Sequence, residues 1–209
     1  MKATSPPLPS ANAATAAASG PASSTRLFNF IGGSSGPWKV QGVQHLVGEP
    51  LVAPERLSVV SGRTAQLPAG AIWQLRGITS NERYVQGEEK AALVSRQEGL
   101  GRPAASHAAL IPIRKTAAWW AMPQDERRQI FEAQSRHITI GMKYLPAVAR
   151  RLHHCRDLGT DEPFDFLTWF EFAPADTAAF EDMLLALRAS PEWAYIDREV
   201  DIRLIRDDA

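Results

Sequence analysis

The chain has 209 residues, 44% of them apolar, which is enough for one substantial core and excludes an intrinsically disordered composition overall. Its 23 basic and 23 acidic residues cancel, and no basic run exceeds two residues, which argues against electrostatic binding of nucleic acid. No apolar run approaches the roughly 18 residues a membrane-spanning helix requires, and the single cysteine, Cys155, excludes an intrachain disulfide.

Residues 1–25 are almost all Ala, Ser, Pro, Thr and Gly and read as a disordered tail. A secretory signal needs a basic start and a bulky apolar stretch, and here there is one lysine and no run of Leu, Ile, Val or Phe. The expectation is therefore a cytoplasmic protein, with export the alternative that the alanine-rich portion leaves open. Order is expected from Arg26, in one domain over 26–209, divided into halves at 26–115 and 116–209.

In Arg26–Ile31, Phe28 and Phe30 share one face of a short strand, and Leu27, Asn29 and Ile31 share the other. Gly32 to Pro37 breaks it. Further strands are predicted over Trp38–Leu46, Leu57–Val60 and Ala71–Ile78. Glu88–Gln97 is predicted as a short helix with Ala91, Ala92, Leu93 and Val94 available to bury. Leu110–Ile113 is extended, because the residue before a proline avoids the helical region.

A helix of about six turns is predicted after Trp119 and Trp120, with Pro123 as its first residue and Asp125 and Glu126 facing its positive end. Phe131, Ile138, Met142 and Leu145 fall on one stripe, and His137 lies on a neighbouring face. Gly141, one turn after His137, costs roughly 1 kcal/mol relative to alanine and asks for a packing reason. A broad flat object against the imidazole is one such reason. A lone histidine on a half-apolar face is also a common structural residue, and periodicity leaves both readings open.

Arg150–Cys155 is extended, and Phe164–Phe172 is apolar on both faces, the pattern of a strand covered on two sides. Phe180, Met183, Leu184 and Leu187 are spaced as one face of a helix that Pro191 ends. Val200, Ile202 and Leu204 alternate with Asp201 and Arg203 in a last strand. Strands with helices to one side indicate an α+β architecture.

The run W-W-x-M from Trp119, the charged helix with His137, K-Y-L-P-A-V, R-R-L-H-H and later F-D-F-L-T-W-F-E together resemble the chlorite dismutase family of haem proteins. The resemblance implies two ferredoxin-like halves forming a dimeric α+β barrel type of domain, with haem b (iron protoporphyrin IX) as cofactor. His137 then matches the proximal iron ligand, Arg150 the distal arginine and Glu192 the carboxylate that fixes the ligand histidine. Trp119 and Trp120 resemble the paired tryptophans near the haem, and Tyr84 is a candidate propionate contact. The short first half resembles the dimeric lineage, which implies a homodimer.

The implied reaction converts chlorite to chloride and dioxygen: an O–Cl bond breaks, Arg150 keeps the hypochlorite-level fragment close, and recombination forms the O–O bond. A guanidinium suits that task because it stays charged and offers several donors. The related coproheme decarboxylases lack the distal arginine and carry a reactive tyrosine before a P-x-x-K segment. Here Ile111 precedes Pro112–Lys115, so both differences point away from decarboxylation. A haem carrier or sensor without turnover, and a haem-free interaction module, are the other readings.

Overall fold

In a computed structural model, residues 26–64, 66–79, 83–159 and 161–207 are described, and the tail expected over 1–25 lies outside them. The alternating apolar segments form eight strands. They are β1 (Leu27–Gly33), β2 (Trp38–Val47), β3 (Arg56–Ser61), β4 (Ala71–Ile78), β5 (His107–Lys115), β6 (Ala149–His154), β7 (Phe166–Phe172) and β8 (Ile196–Arg206). They close into an antiparallel barrel in the order β1-β3-β2-β8-β5-β7-β6-β4, with β4 and β6 joined by the single pair Ile78 and His154. β5, which a division after residue 115 places with the first half, pairs with β7 and β8.

Side chains that alternate inward fill the barrel. Phe30, Leu57, Leu110, Leu167, Trp169 and Ile202 are all buried there, each large aliphatic contributing roughly 1.5–3 kcal/mol by leaving water. The outward side chains of β5 and β7 form a second core. Ala109, Ile111, Phe170 and Phe172 meet Phe180, Met183, Leu184 and Leu187 of α5 (Thr177–Arg188), the last α-helix among the described residues. Phe172 and Phe180 stack with ring centroids 4.4 Å apart. β7 is thus covered on both faces, as its two-sided apolar pattern requires. Phe164 lies just ahead of β7 and packs into the barrel core.

Among the described residues the other α-helices are α1 (Gly87–Arg96), α2 (Ala117–Ala121), α3 (Gln124–Arg128) and α4 (His137–Lys143). In α1 only Leu93 is buried, and Val94 stands exposed. The six-turn helix expected from Pro123 to Leu145 does not form as one piece. Thr116 caps α2 by accepting from the Trp119 N–H at 3.3 Å. Pro123 is extended, so α3 starts one residue later than expected, and Gln129–Gln134 winds as a π-helix. Arg136 is left-handed (φ 55°), and α4 begins at His137. The expected apolar stripe is broken with it: Ile138 is buried, while Phe131, Met142 and Leu145 are half-buried. Among the described residues, no helix is long and apolar enough to cross a membrane.

Candidate functional site

Between the outer face of β5, β6 and β7 and the helical layer lies a cavity of about 290 Å³. Its sheet wall includes Ile111, Phe166 and Phe170, and its helical wall includes Leu184, Leu187 and Gly141. Gly141 faces open space, since a Cβ built there meets no heavy atom within 4 Å. The mid-helix glycine one turn after His137 therefore widens this cavity.

His137 opens α4 and lines the cavity, and its ring stacks on Phe131 at 4.3 Å between centroids. Nδ1–H donates to Glu192 Oε2 at 2.7 Å, which leaves Nε2 as the nitrogen available to a ligand. The second carboxylate oxygen of Glu192 accepts from Lys115 Nζ, also at 2.7 Å, and both side chains are about 95% buried. Burial works against the Glu192 charge, but His137 and Lys115 outweigh it and hold the carboxyl at about 2. Burial lowers the Lys115 pKa, and Glu192 opposes that shift. The Lys115 ammonium also lies over the Trp119 ring, 4.4 Å from its centroid.

Arg150 on β6 lines the same cavity, and its main-chain carbonyl accepts from Gln97 Nε2 at 2.7 Å. Trp119 and Tyr84 line it too, their rings edge-to-face at 6.0 Å. Burial raises the Tyr84 pKa, although Arg127 and Arg83 pull it down. Trp120 takes no part in the lining: its indole N–H donates to Asp165 Oδ2 at 3.0 Å, and its ring stacks on Phe166. Five of the six residues singled out by sequence, His137, Glu192, Arg150, Trp119 and Tyr84, thus share one cavity.

Sequence reasoning missed three residues here. Lys115 completes the His137–Glu192 couple, Gln97 holds the Arg150 backbone, and Asp165 anchors both Trp120 and the Lys115 N–H, the latter at 2.7 Å. A lysine in register with Ile111 and Ile113 on one face of the strand was the one available signal, because a charge on an apolar face needs a buried partner. Cys155 is a buried free thiol whose pKa burial pushes far up, which fits a spectator.

A closed antiparallel barrel whose helical layer presents a carboxylate-fixed imidazole to an apolar cavity defines a one-donor cofactor or ligand site. Among the described residues no group of three His, Cys, Asp or Glu side chains is placed to hold a bare metal ion. The chlorite dismutase family model matches residues 68–206. A dimeric chlorite dismutase from Nitrobacter winogradskyi is 55% identical, with 86% of this chain and 99% of that one covered at a TM-score of 0.78. A chlorite dismutase from Ideonella dechloratans is 31% identical over 123 residues, which span 58% of this chain and 40% of that protein. One from Candidatus Nitrospira defluvii, solved with imidazole, is 19% identical at a TM-score of 0.64 and shares the fold. The chain belongs to the chlorite dismutase family.

Proposed function

We propose that the protein is a haem-dependent chlorite dismutase that converts chlorite to chloride and dioxygen. The observation that carries this reading is the His137–Glu192 couple at 2.7 Å, opening on a cavity that also receives Arg150. The 55% identity to the Nitrobacter winogradskyi enzyme over nearly all of its length supports the same substrate. Ile111 supports dismutation over decarboxylation, because an aliphatic side chain lines the cavity where the related decarboxylases carry their reactive tyrosine.

The residues suit a haem b. His137 offers one imidazole nitrogen, Gly141 leaves room beside it, and the walls are mostly aliphatic and aromatic. Bound there, an iron porphyrin would supply the redox chemistry that chlorite cleavage needs. Glu192 draws on the Nδ1 proton and makes the imidazole more electron-rich, and Lys115 keeps Glu192 in place and ionised. Arg150 holds the oxyanion with charge-assisted hydrogen bonds and keeps the hypochlorite-level fragment from leaving. Trp119 and Tyr84 form part of the wall, and Trp120 supports it through Asp165.

The strand order 4-1-3-2 recurs as 8-5-7-6, which supports two ferredoxin-like halves of β1–β4 and β5–β8. Among the described residues, only the second carries helices between its strands. The dimeric relative supports a homodimer, which light scattering on the purified protein checks directly.

Oxygen release on adding chlorite to the haem-loaded protein tests the function, with one dioxygen per chlorite expected. Intact, haem-replete protein that releases none would remove the dismutase reading. His137→Ala is expected to lose the haem or change its axial ligand, visible in the Soret band. Arg150→Ala is expected to keep haem but lower kcat about tenfold, the worth of roughly 1.5 kcal/mol of charge-assisted hydrogen bonding. It should also bleach faster as hypochlorite escapes.

A further inference from the structure

The chain reaches His137 through a break. After α3 the π-helix Gln129–Gln134 ends at Ser135, Arg136 turns left-handed (φ 55°), and α4 then starts. Single π-helical turns recur at functional sites. A non-glycine residue in the left-handed region persists only where its surroundings fix it. Successive side chains on an α-helix point about 100° apart, so such a break re-aims every later side chain.

Two side chains at the break hold both members of the couple. The Glu132 carboxylate accepts from the Ile138 N–H at 2.6 Å, the Thr139 N–H at 3.3 Å and the Thr139 hydroxyl at 2.6 Å. It thereby satisfies donors that the first turn of α4 leaves open, and places negative charge at the positive end of that helix. Ser135 is buried, and its hydroxyl accepts from the Glu192 N–H at 2.8 Å. One residue thus ties down the segment that carries His137, and the other the segment that carries Glu192.

We infer that Glu132 and Ser135 are positioning residues for the His137–Glu192 couple, fixing the angle at which the imidazole presents Nε2 to the cavity. The inference rests on the haem reading above and extends it to side chains that do not line the cavity. Neither residue touches substrate. They act through the orientation of the ligand and the length of its hydrogen bond to Glu192.

The test uses full-length, haem-loaded protein carrying Glu132→Gln or Ser135→Ala. Two quantities are read: the iron–histidine stretching band of the ferrous form by resonance Raman, and the ferric/ferrous midpoint potential. Both variants are expected to retain haem, with the band broadened and shifted to lower frequency and the midpoint moved upward. Variants that only melt earlier, with band and potential as in the wild type, would overturn the inference by showing a plain helix cap. Ser135→Ala decides alone if Glu132→Gln does not fold. Wild-type protein that shows the band yet releases no oxygen from chlorite would fail the chlorite reading and leave this comparison intact. Wild-type protein with no such band would overturn the ligand assignment, and this inference with it.

Discussion

Glu192 is 4% exposed and accepts from two groups, His137 on one oxygen and Lys115 on the other. A buried charge of this kind is tolerated only while its partners remain, and removing one partner costs about 3–5 kcal/mol when the other charge is stranded. In Lys115→Met the carboxylate keeps His137, so the expected loss is at the lower end, about 3 kcal/mol, read from urea midpoints. The same variant leaves Glu192 freer to turn, and weaker haem retention is expected in a Soret titration. That His137, Arg150 and Glu192 share one cavity was legible in sequence because three residues of different chemistry matched one pattern together. Lys115 was not, since its meaning depends on a strand end meeting a residue 77 positions away. Trp120 shows the converse: beside Trp119 it reads as a second cavity wall, but its indole is claimed by Asp165.

At the scale of elements, β8 followed from apolar alternation, β7 from a run apolar on both faces, and α5 from its four-residue stripe. The helix before the site did not. Its apolar spacing runs on through Ser135 and Arg136 with no glycine or proline to mark a break, and the hydrogen bonds that make one come from Glu132 and Glu192. Short polar side chains that compete with the helix ladder leave only a weak mark in a sequence. The left-handed Arg136 is exposed, and a left-handed conformation costs an L-residue with a Cβ about 1–2 kcal/mol. Arg136→Gly removes that cost but adds chain entropy to the unfolded state. A net gain of about 0.5–1 kcal/mol is expected, with the iron–histidine band unmoved. A loss of stability would show that the arginine side chain contributes more than its backbone costs.

At the scale of the whole molecule, a histidine of β6 is buried against β1. His153 is fully buried, its Nδ1–H donates to the Leu167 carbonyl at 3.0 Å, and its Nε2 accepts from Arg151 Nε at 3.2 Å. Phe28 and Phe30 each make a T-shaped contact with the ring, with centroids 5.0 Å away. Burial, reinforced by the Arg151 charge, lowers its pKa to about 4 from the ordinary 6.5, although the bond to Leu167 pulls the other way. Between these values the unfolded chain binds a proton that the folded barrel does not, so stability rises with pH across that window. The contribution is complete above about 6.5 and is lost as pH falls toward about 4. At pH 4.5 the loss is about 2–3 kcal/mol relative to pH 7.5, from 1.36 kcal/mol per pKa unit. His153→Gln can keep both hydrogen bonds without a group that titrates there. The wild type is therefore expected to lose about 2–3 kcal/mol more than the variant between pH 7.5 and 4.5, measured by urea denaturation at each pH. Equal losses in the two proteins would mean that the acid sensitivity of the barrel lies in its carboxylates instead.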